Sequence, residues 1–210
     1  MKISFIKPCF FLIFLLLNGC ILTGNRPPHS KPQVINDYPT QTRVEFVKDK
    51  EMLRVMRDAG AKVVNIGIES GSEDVLKRNK GIKREDVEKA VKLLRSAGFL
   101  VYAGFIIGFP EDTIDTVWET IKFPDELDLH SPGFQLMVPF PKTQVRYLAE
   151  KEGGILTNDY EKYCTYNVVY IPPGLQGYDL LAIRKFAYQY FHTRTEERLS
   201  KWIDRFKDNE

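Results

Sequence analysis

The feature that most constrains the fold is a short apolar segment, Leu100 to Ile107, that runs directly into a turn. Eight residues rich in β-formers are too few for a typical helix, and their apolarity predicts a strand buried on both faces. Gly108, Pro110 and Asp112 interrupt that strand, and Thr113 can cap the helix that follows. Apolar residues at helical spacing predict the buried stripe of this helix: Ile114, Val117, Trp118 and Ile121. The sequence therefore predicts a strand, a glycine turn and a helix in succession.

A second unit of the same kind comes earlier in the chain. Lys62 to Ile68 predicts a strand, and Glu69 to Ser72 a turn whose last residue caps a short helix through Lys77. A longer amphipathic helix is predicted from Arg84 to Ser96, ended by Gly98. Its buried face consists of Val87, Ala90, Val91 and Leu94. Alternating strands and helices at this spacing predict parallel strands, and in such folds ligands bind at the carboxyl ends of the strands.

Further elements flank these two units. Thr40 to Val47 alternates between polar and apolar residues in its second half and is rich in β-formers, which predicts a strand. Lys48 to Ala59 predicts a helix that ends at Gly60. Phe134 to Val138 predicts a fourth strand, followed by a helix from Thr143 to Glu152. The residues expected to face inward on the first of these helices are Met52, Leu53, Val55 and Met56. The four strands are predicted to form one parallel sheet in chain order.

The C-terminal part differs in character from the alternating part. Asn158 to Pro173 is irregular and rich in tyrosine, whereas Tyr178 to Phe206 predicts a long helix, continuous or broken. The expected inner stripe of that helix comprises Leu180, Ile183, Phe186, Ala187, Tyr190, Leu199, Ile203 and Phe206. Residues 154–210 are therefore predicted to be a helical extension.

The N-terminus, residues 1–24, does not resemble the rest of the chain. Phe10 to Leu17 consists only of apolar residues. This run is too short to span a bilayer but has the length of a signal-peptide core. Leu17 stands three residues before Cys20, which resembles a bacterial lipoprotein signal in which this cysteine is lipidated. The alternative is an apolar N-terminus acquired by truncation or a misplaced start. Residues 25–39 are polar and proline-rich and are predicted to be a linker.

Composition excludes several functional classes. A net charge of +2 on 210 residues gives no sign of a nucleic-acid partner. The three cysteines are too few and too scattered for a disulfide framework or a structural zinc site, and the three histidines are isolated. These are Cys9, Cys20 and Cys164, with His29, His130 and His192. No residue is assigned as a metal ligand or as catalytic.

Four short motifs, taken together, resemble those of radical S-adenosylmethionine (radical SAM) enzymes. The pattern G-x-I-x-G-x-x-E, formed by Gly104, Ile106, Gly108 and Glu111, resembles the adenine-contacting motif on their fifth strand. Gly67 to Ser72 is similar to their fourth-strand ribose motif, and Thr42 to Glu45 resembles their third strand. Pro139 to Thr143 is similar to their P-x-P-G-T turn, with Lys142 in place of glycine. The spacing best matches the branch with an N-terminal cobalamin-binding domain.

The resemblance covers Thr40 to Glu152 and implies a fold class and a site. The implied fold is α/β, a partial (β/α) TIM-like barrel of about four parallel strands over residues 40–153, followed by the helical extension. The implied S-adenosylmethionine-binding residues are Glu69, Ser70, Gly104, Ile106, Gly108, Glu111, Val138 and Pro139. Alternatives remain for some of them. The two motif glycines could only mark a close helix crossing, and Glu111 suits a structural role at its turn better than a catalytic one.

The family's reaction also requires a C-x-x-x-C-x-x-C loop whose thiolates hold a [4Fe-4S] cluster. No such spacing occurs in this sequence, and the family's first two strands have no counterpart. We therefore expect no cluster ligands in this chain, weak or vestigial S-adenosylmethionine binding, and a separate polypeptide as the partner that supplies the N-terminal half of the barrel.

Two functional classes remain open on these grounds. The first is a fragment or degenerate homologue of a radical SAM enzyme, inactive alone and cytoplasmic by resemblance. The second is a non-catalytic lipoprotein or binding module, anchored to a membrane through Cys20, that reuses a half barrel.

Overall fold

The computed structural model describes residues 40–207, with side chains described as far as Thr193. The expectations for residues 1–24 and 25–39, including the lipoprotein signal at Cys20, lie outside the described residues. The strands are β1 (Thr40–Arg43), β2 (Val63–Glu69), β3 (Leu100–Ile107) and β4 (Ser131–Leu136). The helices are α1 (Lys50–Asp58), α2 (Glu73–Lys80), α3 (Arg84–Ser96), α4 (Ile114–Glu126), α5 (Gln144–Glu152) and α6 (Leu180–Lys207). Short 3₁₀ turns occur at Val44–Phe46, Tyr160–Lys162 and Pro173–Leu175.

The four strands form one parallel sheet in the order β1-β2-β3-β4. This confirms the predicted sheet and the predicted fold class, an α/β partial TIM-like barrel. The register places Arg43, Gly67, Gly104 and Gly133 side by side in one row across the sheet. Because paired residues of parallel strands point to the same face, three neighbouring strands present bare backbone at this level.

The prediction that β3 is buried on both faces is wrong. Val101, Ala103, Phe105 and Ile107 are at most 2% exposed, whereas Leu100 and Tyr102 on the other face are 41% and 37% exposed. Strands β2 and β4 alternate between buried and partly exposed residues in the same way. One face of the sheet lies against the core, and the other face is open among the described residues.

Two segments differ from their predicted secondary structure. The strand predicted from Thr40 to Val47 stops at Arg43, and a 3₁₀ turn follows. Val44 and Val47 are both buried, three residues apart, which matches the three-residue period of a 3₁₀ turn and not the two-residue period of a strand. The short helix predicted to end at Lys77 continues to Lys80, where Gly81 adopts a left-handed conformation with φ 67°.

Other predicted boundaries are close to those observed. Helix α3 has the predicted limits, and its four predicted core residues are all buried. Thr143 caps α5 by accepting a hydrogen bond from the backbone N–H of Arg146. Helix α1 begins after Asp49, whose carboxylate accepts from two backbone N–H groups of the first turn. Strand β4 begins at Ser131, three residues earlier than predicted, and ends at Leu136.

Several residues predicted to face the core are exposed instead. Met52 and Val55 on α1 are 37% and 53% exposed, and Trp118 on α4 is 40% exposed. Phe186 on α6 is 44% exposed and stacks on Trp118 with ring centroids 5.7 Å apart. Trp118 therefore packs against the C-terminal helix at the surface and does not enter the core.

The C-terminal extension belongs to the same core as the sheet. Leu175, Leu180 and Ala187 are buried in the main hydrophobic cluster. Helix α6 is continuous, and it seals the outer edge of β4: the backbone N–H of Phe134 donates to the Tyr188 hydroxyl (2.9 Å). Arg184 Nε donates to the carbonyl oxygen of Phe134 (2.8 Å). None of the helices within residues 40–207 combines the length and apolarity needed to cross a bilayer.

Candidate functional site

The carboxyl ends of β2, β3 and β4 bring together the three loops that carry the sequence motifs. The backbone N–H of Met137 donates to the carbonyl oxygen of Ile107 (2.9 Å), which joins the loops after β3 and β4. A Cβ placed on Gly108 would lie 3.5 Å from the Cβ of Met137. Two groups of residues implied to bind S-adenosylmethionine, those of Gly104–Gly108 and Val138–Pro139, therefore lie on neighbouring segments. The side chain of Val138 is buried in a cluster with Tyr163 and Val169 of the C-terminal extension.

Glu69 is held in a strained conformation at the end of β2. Its φ of 79° lies in the left-handed region, which costs a residue other than glycine about 1–2 kcal/mol. The sheet register is irregular between Gly67 and Glu69, and the carboxylate folds back over the strand. Its Oε1 lies 2.6 Å from the position that a Cβ on Gly67 would occupy. Glycine at position 67 therefore makes room for this carboxylate.

Lys80 restrains the Glu69 carboxylate. Its Nζ lies 3.3 Å from Glu69 Oε1 and donates to the carbonyl oxygen of Gly67 (2.6 Å). Its side chain is only 12% exposed, so the ion pair is shielded from solvent on the lysine side. A strained acidic residue kept in place by a buried partner at a strand end is typical of binding sites.

Ser70 lies inside the turn after β2. Its hydroxyl is buried, 3.1 Å from Thr120 Oγ1, and accepts a hydrogen bond from the backbone N–H of Ser72 (3.1 Å). Ser72 occupies the N-cap position of α2, but its side chain makes no capping hydrogen bond. The hydroxyl of Ser70 thus fixes the loop against α4. Contact between Ser70 and a cofactor stays a prediction.

Asp112 organises the turn after β3. Its Oδ2 accepts from the backbone N–H groups of Gly108 (2.9 Å) and Phe109 (2.8 Å), and its Oδ1 accepts from Thr116 Oγ1 (2.8 Å). Burial raises the pKa of this carboxyl to about 6, against the opposite effect of these three hydrogen bonds. The sequence predicted Asp112 only as a strand breaker. The signal available in the sequence was its spacing: Asp112 stands four residues after Gly108 and four residues before Thr116, the two residues to which it bonds.

Glu111 is also tied to α2. Asn79 Nδ2 donates to Glu111 Oε1 (2.5 Å) and to the carbonyl oxygen of Val75 (3.0 Å). The last turn of α2 therefore holds both acidic motif residues, Glu69 through Lys80 and Glu111 through Asn79. Sequence reasoning missed both partners because it ended the helix at Lys77. The signal was Gly81, a residue that commonly follows the last turn of a helix.

Gly104 and Ile106 lie on the open face of β3. No described heavy atom lies within 4 Å of a Cβ built on Gly104, so no helix crosses closely there. Its φ is not in the positive region either, so neither packing nor backbone conformation requires glycine. Glycine within a strand weakens the strand and often marks a close approach of a ligand to the backbone. The backbone at Gly104 is therefore open to the approach of a ligand from this face of the sheet.

The turn after β4 departs from the family pattern at one residue. Lys142 stands where the motif has glycine, and it adopts a left-handed conformation with φ 65°. The turn is closed by Thr143 Oγ1, which donates to the carbonyl oxygen of Phe140 (2.7 Å). Lys142 adopts this conformation at a cost of about 1–2 kcal/mol for a non-glycine residue.

A [4Fe-4S] cluster has no fitting donor set in the part of the chain that the structure describes. Among residues 40–193, whose side chains the structure describes, no three His, Cys, Asp or Glu side chains converge as metal ligands. Cys164 is partly buried and is the free cysteine of this region. A single thiol cannot replace the three thiolates that hold such a cluster.

Comparison with curated proteins finds several relatives. An uncharacterized methyltransferase of Pyrococcus horikoshii is 30% identical over 158 residues, which cover 75% of this chain and 34% of the relative. Bacteriochlorophyllide d C-12(1)-methyltransferase of Chlorobaculum tepidum is 31% identical over 140 residues, 66% of this chain and 30% of that protein. Anaerobic magnesium-protoporphyrin IX monomethyl ester cyclase of Cereibacter sphaeroides is 30% identical over 67% of this chain and 23% of the cyclase. The chain thus spans about a third or less of these relatives.

The fold has a counterpart among solved structures. The radical S-adenosylmethionine methyltransferase TsrM of Kitasatospora setae, solved with cobalamin and a [4Fe-4S] cluster bound, matches with a TM-score of 0.55 and 22% identity. The match covers 70% of this chain and 35% of TsrM, and it shows the shared fold. The family model of the radical SAM superfamily matches residues 37–123, which include the motifs on β2 and β3. By this match, residues 37–123 of the chain belong to the radical SAM superfamily.

Proposed function

We propose that this chain binds the adenosyl group of S-adenosylmethionine at the carboxyl edge of its sheet, as the cofactor-binding part of a radical SAM methyltransferase. The observation that carries the proposal is the open backbone at Gly104, which neither packing nor conformation explains and which shares its row with Gly67, beneath the restrained Glu69. The methyltransferase relatives support the reaction class. A cytoplasmic location is proposed from the family alone.

The residues present fit the cofactor as follows. The adenine ring would lie against Gly104 to Gly108, with the backbone of Val138 and Pro139 on the neighbouring strand end. The Glu69 carboxylate, 27% exposed, can accept hydrogen bonds from ribose hydroxyls while Lys80 keeps it in position. Asp112 keeps the Gly108 turn in shape. When bound, S-adenosylmethionine supplies an activated methyl group.

We propose that the chain alone is inactive in reductive cleavage of the cofactor. The side chains described for residues 40–193 include no converging set of donors for a [4Fe-4S] cluster, and three thiolates must converge to hold one. Anaerobic reconstitution with iron and sulfide, followed by dithionite reduction, should therefore leave S-adenosylmethionine intact. Formation of 5′-deoxyadenosine by this polypeptide alone, with stoichiometric iron, would overturn the proposal.

Replacing Gly104 with alanine should abolish cofactor binding without harming the fold. The chain lacks the cluster that anchors the cofactor in the family, so we expect a dissociation constant in the millimolar range, about −4 kcal/mol. A methyl group at position 104 meets no described atom within 4 Å, yet it would occupy the space proposed for the adenine ring. Ligand-observed NMR with S-adenosylmethionine should show transfer signals for the unaltered chain and none for Gly104→Ala.

The matched control is Gly133→Ala. Gly133 lies beside Gly104 in the same row, on β4, and a Cβ there would approach only the Ala103 carbonyl oxygen, at 3.9 Å. This variant should keep both stability and the NMR signal. Equal binding by both variants, or micromolar affinity of the unaltered chain, would contradict the proposed placement.

A further inference from the structure

An open cavity lies between α1 and α3, on the covered side of the sheet. Its volume is about 380 Å³, within the range of about 300–1,000 Å³ that is typical of small-molecule sites. Leu53, which lines it from α1, belongs to the main hydrophobic core, so the cavity lies across the sheet from the open backbone at Gly104. The apolar lining residues are Leu53, Leu93 and Ala97. The cavity is therefore separate from the proposed cofactor site.

The polar side chains that line the cavity are cationic with one exception. Lys50, Arg54 and Arg57 stand at positions i, i+4 and i+7, so they form one stripe along α1. The exception is Ser96, whose hydroxyl donates to the carbonyl oxygen of Leu93 (2.8 Å). Among the described residues that line the cavity, none carries a carboxylate. The cavity thus combines an apolar floor with a positively charged wall.

Two carboxylates lie next to this wall, and both pair with Arg54. Its Nη2 is 2.6 Å from Glu51 Oε1, and its Nη1 is 2.9 Å from Asp58 Oδ2. The three side chains are between 61% and 66% exposed, and exposed pairs of this kind contribute little stability. Neither Lys50 nor Arg57 forms an ion pair with another described residue. The cavity therefore keeps two cations whose charge no described carboxylate neutralises.

Arg57 is held in a fixed orientation by two contacts. Its Nη1 donates to the carbonyl oxygen of Ala61 (2.9 Å), and its guanidinium lies over the ring of Phe99, 5.4 Å from the ring centroid. Of its five N–H donors, one is used within the part of the chain that the structure describes. A planar fork of N–H donors matches the two oxygens of a carboxylate. Arg57 is therefore oriented to receive a carboxylate before any ligand binds.

We propose that this cavity binds a small organic carboxylate with an apolar body. The carboxylate pairs with Arg57. The apolar body lies on Leu53, Leu93 and Ala97. Lys50 stands about 10 Å further along α1, at about 1.5 Å per residue, and adds to the attraction without contacting the same carboxylate. The inference goes beyond the proposed function, because no residue of the cofactor site takes part in it.

Ligand-observed NMR of the full chain, with hexanoate as the probe, tests the site. Hexanoate should give saturation-transfer signals, whereas hexanamide, which has the same length but no charge, should give much weaker ones. Arg57→Gln should weaken hexanoate binding about tenfold, because the hydrogen bonds between two charged groups are lost. The matched control is Arg78→Gln, which removes the same charge at an exposed position of α2 outside the cavity and should leave hexanoate binding unchanged.

A second variant tests the enclosed space and leaves the charges in place. Ser96→Trp fills the cavity from an exposed position on α3 and keeps all three cations, so it should abolish the hexanoate signal. Equal signals from hexanamide, equal losses in Arg57→Gln and Arg78→Gln, or normal binding by Ser96→Trp would overturn the proposal. Displacement of hexanoate by an equal concentration of inorganic phosphate would also overturn it, because the apolar floor would then contribute nothing. Gly104→Ala should keep hexanoate binding, which separates this test from that of the cofactor site.

Discussion

Replacement of Asp112 with alanine should lower the free energy of unfolding by about 3 kcal/mol. The carboxylate is 2% exposed and accepts from two backbone N–H groups, those of Gly108 and Phe109. Removing it leaves both donors buried without a partner, at roughly 1–3 kcal/mol each, partly offset by relaxation of the turn. Urea denaturation monitored by circular dichroism measures the change. Asp112→Asn is the control, because an amide can turn its oxygen toward the two backbone donors, while its NH2 group donates to Thr116 Oγ1 in place of the bond that this hydroxyl donates to Asp112.

The same pair of proteins tests the titration of Asp112. In the folded state its pKa is raised from 3.8 to about 6 by burial, so the folded protein binds more protons than the unfolded chain between these values. The stability contributed by this group is therefore greatest below pH 4 and is lost as the pH rises to 6, by up to about 3 kcal/mol. Asp112→Asn has no carboxyl group at this position and lacks this pH dependence. Its free energy of unfolding should therefore rise relative to that of the unaltered chain between pH 4 and pH 7. Parallel stability curves for the two proteins would rule out a raised pKa.

The other large loss of stability is expected at Gly71. A Cβ at this position would lie 2.5 Å from the carbonyl oxygen of Glu119 and 2.7 Å from the Cα of Thr120, both backbone atoms of α4. Neither atom can move without displacing the helix, so Gly71→Ala should cost about 3 kcal/mol. The change also disturbs the hydrogen bond from the Gly71 N–H to Thr120 Oγ1 and the one from Arg84 to the Gly71 carbonyl oxygen.

The matched control for Gly71→Ala is Gly104→Ala, which adds the same methyl group where a Cβ meets nothing within 4 Å. Both variants add one methyl group, at Gly71 against a closely crossing helix and at Gly104 on an open strand. Urea denaturation compares their free energies of unfolding. A Gly71→Ala chain as stable as Gly104→Ala would show that the loop and α4 do not meet as described.

Local patterns were sufficient where neighbouring residues decide the structure. Helix α3 has an apolar stripe and a terminal glycine, Gly98, within its own sequence, and its limits were predicted correctly. Strand β3 was also placed correctly, but the exposure of Tyr102 depends on which face of the sheet the helices cover. Trp118 is an ordinary core residue by its spacing. In the structure it lies at the surface, and its ring contacts Phe186 and Tyr190 of α6, more than sixty residues later in the chain, which its own spacing could not indicate.

In the candidate site, too, some features follow from the local sequence and others depend on residues that only the fold brings together. The positions of Glu69 and Gly104 at the carboxyl edge could be predicted from motif and strand order. Lys80 and Asn79 were missed because the apolar pattern ends α2 at Lys77, whereas Gly81 marks the true end of the helix, one turn later. The role of Asp112 depends on a hydrogen-bond geometry that spacing alone does not show.

The seal that α6 places on β4 limits how many chains can share this sheet. Strand addition propagates only when each added unit offers a fresh edge to the next one. Here the Phe134 backbone is already bonded by Arg184 and Tyr188, so among the described residues the sheet has a single growing end. A second copy of the chain paired at β1 would therefore offer no free β4 edge to a third copy, so within residues 40–193 the sheet does not support open-ended polymerisation.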